Sequence, residues 1–240
     1  MENLKEIVVK NVSLMKDISN HPAILENILG ILKNIETNIP KECRDQFYKN
    51  LELLRIVSNN HSECSLNAPI ISLDEKLLWL ADNKKVGDKV NFSDALVQEL
   101  YHELLHLAST NYIVDLENKR IHGYSGFVLD LNDFNNSNNL FNGLTEGFTQ
   151  YLTTLNTNSD YSNYNVQVAC IKKLIDIVGI DIVNQCYYNN KLGMQPIMNK
   201  LSEKGMDINY IHELENLCHV DTITHLVDSQ KDMDNKSQLL

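Results

Sequence analysis

In HPAILENILGILKNIETNIP the apolar residues Ile24, Leu25, Ile28, Leu29, Leu32 and Ile35 recur three and four positions apart, the spacing of one helix face. Asn20 precedes the segment, Pro22 lies near its first turn and Pro40 closes it. Phe47, Leu51, Leu54 and Ile56 repeat the pattern, so a second amphipathic helix is expected from about Glu42 to Val57, within a helical first sixty residues. Both stripes are expected to pack into the core. The period then changes. SLDEKLLWLAD is short and apolar enough for a strand around Leu77 to Leu80. Ser93 is placed to cap a helix running through YHELLHLAS, residues 101–109. NYIVDLENKRIHGYSGFVLDL predicts two strands joined at Glu117 to Lys119, and NDFNNSNN is a turn-rich loop with little to bury.

From Leu144 to about Asp228 the pattern is helical again. It covers GLTEGFTQYLTTL, VQVACIKKLIDIVG, IDIVNQCYY, QPIMNKLSEKG and a last helix through Ile211. These elements predict a mainly α fold with a small β-sheet, an α+β class. One domain is expected over residues 1–229, with N-terminal helices 1–66, a sheet-bearing middle 67–156 and C-terminal helices 157–229. The polar residues 230–240 are expected to form a flexible tail.

Composition narrows the partners. Net charge is −11, from 32 acids against 21 bases. A surface of that sign repels phosphate backbones and anionic lipid, so neither nucleic acid nor a membrane is expected as a partner. MENLKEIVVK carries charges where a signal peptide would be apolar, and no later run reaches membrane-spanning length. A cytoplasmic protein is expected, with export by a route needing no such signal left open. Cys43, Cys64, Cys170, Cys186 and Cys218 are odd in number and never spaced Cys-x-x-Cys. They are expected to be reduced and mostly buried. The wealth of Asn, Lys and Ile is a bias expected of an AT-rich bacterial genome.

The candidate chemistry lies in YHELLHLAS. Residues four apart on a helix share a face, so His102 and His106 can converge on one ion. Glu99 and Ser109 extend this polar stripe, and Leu100, Leu104 and Leu107 form the opposing face. Glu103 is rotated away from the metal axis but within reach of a water on the ion, the arrangement that suits metal-assisted hydrolysis. With 8 His and 15 Glu, chance alone produces His-Glu-x-x-His about once in sixty such chains, so the motif needs a companion. HELEN, residues 212–216, shows why: it shares three letters but ends on Asn216.

A catalytic zinc site needs a third protein ligand. A metzincin would place Gly and His where Ser109 and Tyr112 stand, which removes that class. Glu146 in GLTEGFTQYL is one candidate, and the adjacent Gly147 would let the ligand helix and the motif helix approach closely. His122 in RIHGYSG is the main rival, with Asp115 and Glu117 in the hairpin behind it. Tyr124, His122, Tyr151, His219 and His225 are available as oxyanion donors, Tyr124 preferred for its place between Gly123 and Gly126. His212, His219 and His225 otherwise suit a helix surface or interface.

Together HELLHLAS and GLTEGFTQYL resemble the gluzincin-type zinc metallopeptidases, in which a His-Glu-x-x-His helix is followed by a helix bearing an Asn-Glu-Gly-like sequence. They are similar also to uncharacterised bacterial proteins of that pattern. The resemblance covers about residues 76–155. It implies a zincin-like fold binding Zn2+ through His102, His106 and Glu146, with Glu103 as general base. Gln150 stands where thermolysin-like members carry an acid that orients the first His, so its amide carbonyl would take that role. Thr145 replaces the usual Asn, and the 39 residues between His106 and Glu146 exceed the thermolysin-like separation, which implies a distinct family. The implied activity is hydrolysis of peptide or protein substrates, with the loop from Asn132 to Asn142 as a lid. Two alternatives are an inactive zincin fold binding a partner, and a zinc-stabilised helical domain with a fourth protein ligand. No oligomeric state is implied.

Overall fold

Pro22 opens helix α3 (Pro22–Asn38), where its missing N–H costs nothing. The helix buries Ile24, Ile28, Ile31, Leu32 and Ile35 and leaves Leu25 and Leu29 exposed, so the core face is rotated from the predicted stripe. Two short helices precede it, α1 (Leu4–Lys10) and α2 (Val12–Ile18), and α4 (Arg44–Leu53) follows. The computed structural model describes residues 4–83, 91–129, 140–157, 164–189 and 191–219.

The first sixty residues are not all helical. Helix α4 stops at Leu53, and Ile56 belongs to strand β1 (Arg55–Asn59). Strand β3 (Ile70–Asp74) pairs parallel with β1 and antiparallel with the short β2 (Glu63–Cys64), giving the order β1-β3-β2. The strand expected around Leu77 to Leu80 is instead helix α5 (Glu75–Asp82). Asp74 decides this, because its Oδ1 accepts from the N–H groups of Lys76 and Leu77 and starts a helix there. The strand is the preceding ISL segment.

Helix α6 (Phe92–Ser109) carries the motif and begins two residues earlier than expected, with Asn91 rather than Ser93 at its N-cap. Every residue from Leu100 to Ser109 is buried, so the helix end that holds the histidines has no solvent face. Helices α3, α4, α5 and α7, with β2 and β3, pack around it. Asn50 on α4 closes its C-terminal end by donating to the carbonyls of Leu107 and Thr110 at 2.8 and 2.9 Å. The predicted hairpin follows as β4 (Asn111–Asp115) and β5 (Arg120–Tyr124).

Next come α7 (Asn142–Thr157), α8 (Asn165–Val178), α9 (Ile180–Tyr188), α10 (Gln195–Ser202) and α11 (208–219), which runs past Ile211. The described residues are therefore mainly helical with two small sheets. One hydrophobic cluster runs through it from Leu4 to Cys218. All five cysteines are free, and all but Cys64 are buried. Among the described residues no helix is long and apolar enough to cross a membrane. Most of the expected lid loop, His225 and the tail lie outside the described residues.

Candidate metal centre

Helical spacing places His102 and His106 one turn apart on α6, and their Nε2 atoms lie 3.1 Å from each other. Glu146 reaches them from the first turns of α7: its Oε2 is 3.2 Å from His102 Nε2 and 3.4 Å from His106 Nε2. Donor atoms held about 2.0 to 2.1 Å from a tetrahedral zinc stand roughly 3.3 Å apart, so these three separations fit one ion. Two imidazole nitrogens and a carboxylate oxygen are also the donor types zinc takes. Among the described residues this is the one group of three or more potential ligands whose donor atoms gather, all within 4.8 Å.

The surroundings fix each ligand. His106 turns Nδ1 toward Ser125 Oγ at 3.2 Å, which sets the imidazole with Nε2 aimed at Glu146. Ser125 in turn lies 2.9 Å from Ser109 Oγ. Thr145, the residue before Glu146, holds the same segment: its Oγ1 accepts from the Phe127 N–H at 3.0 Å. Gly126 sits between them at φ +67°, left-handed backbone that glycine adopts freely, and a side chain there would collide with Thr145. Thr145 thus has a position-specific task of its own. Gly147 permits a close approach, but to the backbone of Gln167 at the start of α8, not to α6. Helices α6 and α7 do pack together, but Gly147 is not what allows it.

Glu103 is buried beside the triad, with 6% of its surface exposed. Its carboxylate lies beside the Cys64 N–H of edge strand β2. Burial pushes its carboxyl up to about 7; Glu146 and Glu99 add to the shift, while His102 and the Cys64 N–H oppose it. Glu146 is only half-buried, and the desolvation it does undergo opposes ionisation, but the two imidazoles outweigh it and hold its carboxyl well below the ordinary range.

Two cavities of about 530 and 500 Å³ meet here and share His61, Ser62, His102, Glu103 and Tyr164. Tyr164, just before α8, stacks on His102 with ring centroids 5.5 Å apart at 12° and lines the second cavity together with Glu146. Burial raises its hydroxyl above the ordinary value, as do the charges of Glu146 and Glu103. The sequence reading missed Tyr164, which ends a polar stretch with no helical spacing to the motif. It missed His61 as well, an exposed residue at the β1–β2 turn, 3.1 Å from Glu63.

Other predicted residues divide. Tyr124 lines the second cavity with the triad, and Gln150 lines the first with His102. Gln150 is buried one turn beyond Glu146, its amide donating to Thr154 Oγ1 at 3.3 Å. The rival ligands do not join the triad. His122 is exposed on β5, paired across the hairpin with Ile113. Asp115 accepts from the Glu117 and Asn118 N–H groups at the hairpin turn, and Glu117 is exposed there. Tyr151 stacks on Phe148, His212 packs on Phe141, and His219 meets Glu215. No protein-family model, curated protein or solved structure matches the chain.

Proposed function

We propose that the protein is a zinc-dependent metallopeptidase of the gluzincin type, with a zincin-like fold, that hydrolyses peptide bonds in peptide or protein substrates. One observation carries the reading: Glu146 Oε2 lies 3.2 and 3.4 Å from the two Nε2 atoms of α6, with Glu103 facing the same cavity. His102, His106 and Glu146 would hold the ion. Bound there, zinc would supply Lewis acidity toward a peptide carbonyl and make a water acidic enough to attack near neutral pH.

The remaining work falls to the chain. Glu103 takes the proton of the attacking water on its carboxylate and returns it to the leaving nitrogen. Its carboxylate faces the cavity with the Cys64 N–H beside it. The Tyr164 and Tyr124 hydroxyls are the proposed donors to the oxyanion; both residues line the cavity that holds the triad, and Tyr164 also stacks on His102. Gln150 is the proposed partner of the His102 ring through its amide carbonyl. The free cysteines suit a reducing compartment such as the cytoplasm.

The test compares zinc-loaded wild type with Glu103→Gln on a peptide library read by mass spectrometry. Wild type should cut, and the variant should keep its zinc while losing about 10²- to 10⁴-fold in rate. A zinc-loaded wild type that cuts nothing points to the alternative, a zinc-binding zincin fold acting as a protein-binding module.

A further inference from the structure

Helix α7 begins at Asn142 with no acidic residue of its own in its first turn. The free N–H groups of that turn need acceptors, and a negative charge beside them is favourable. Both are supplied from about seventy residues away. Glu215 on α11 is buried, and its two carboxylate oxygens accept from Gly143 N–H at 2.7 Å and Leu144 N–H at 2.9 Å. Contact is close because residue 143 is glycine: a methyl there would strike Cys218 Cβ. Gln167 on α8 ties the same helix down by donating to the Cys218 carbonyl at 2.9 Å. Exposed His219 approaches Glu215 Oε1 at 2.9 Å from the solvent side.

Glu146 lies two residues beyond Leu144, so the turn that Glu215 grips is the turn that presents the third ligand. We propose that Glu215 is a positioning residue of the metal centre: it anchors the start of α7 and thereby sets where Glu146 stands relative to His102 and His106. The last described helix is then part of the centre without touching the ion. This rests on the reading of the triad as a zinc site.

The experiment measures zinc affinity and the visible spectrum of the cobalt(II)-substituted protein for full-length wild type, Glu215→Gln and Glu215→Asp. Leu14→Ala serves as a control, since it empties a fully buried position on α2 remote from the cavities. Circular dichroism of the metal-free proteins establishes folding. Glu215→Gln should weaken zinc binding about 10- to 100-fold and shift the cobalt bands. Glu215→Asp keeps the charge on a shorter arm, and should lose less. Leu14→Ala should lower thermal stability with affinity and bands unchanged. Folded Glu215 variants that bind zinc like wild type, with wild-type bands, would overturn this inference alone. So would a Leu14→Ala loss of affinity equal to theirs, or failure of both Glu215 variants to fold. A wild type that binds neither metal would remove the zinc reading, and this inference with it.

Discussion

HELLH at 102–106 and HELEN at 212–216 begin with the same three letters and both bear on the first turns of α7. In the first, His102, Glu103 and His106 are all buried, and both histidines meet Glu146 at the front of α7. In the second, His212 packs on Phe141, Glu213 and Asn216 are exposed, and Glu215 accepts from the first N–H groups of α7. The difference lies in what surrounds each helix. α6 is enclosed at its C-terminal end, so its polar side chains must find one another or a ligand. α11 has a solvent face, which takes the side chains that the core does not use. A shared triplet carries no chemistry until burial and a partner helix select which side chains converge.

The largest effect expected from breaking this asymmetry is His106→Ala, which should weaken zinc binding on the order of a thousandfold in a metal titration. The corresponding substitution in the second stretch, Asn216→Ala, should leave it unchanged. Next is metal removal: at a zinc concentration a thousand times Kd the ion stabilises the fold by about 4 kcal/mol, so a chelator should lower the Tm of wild type. His106→Ala should show no such drop. Ser125→Ala is smaller, with zinc affinity falling about tenfold as the His106 ring loses its Nδ1 partner. Smallest is Glu213→Gln, an exposed change that should stay within about 0.5 kcal/mol in stability and alter no zinc parameter.

The parts of the site legible in the sequence are those with a periodic or motif signature. His102 and His106 follow from the four-residue spacing, and Glu146 from a second helix resembling the ligand-bearing one. The hairpin strands followed from their flanking turn residues. Elsewhere the signal was ambiguous or absent. Leu77 to Leu80 form a short apolar run that suits strand or helix equally, and Asp74 settles it by capping α5. Ile56 continues the stripe of α4 in spacing, yet belongs to β1, because tertiary pairing with β3 overrides the local pattern. The neighbour that Cys64 offers Glu103 is a backbone N–H, which no residue type encodes. Tyr164 reaches the site, and Glu215 the start of α7, through folding of distant segments, and each looks ordinary where it stands in the chain.

The central claim is that His102, His106 and Glu146 hold one zinc ion. Its most direct test is the zinc content of the full-length protein, purified without chelators and dialysed against zinc, beside Glu146→Gln treated identically. One zinc per wild-type chain and a clearly reduced content in the variant is the expected result. No zinc in either, from folded protein, would contradict it.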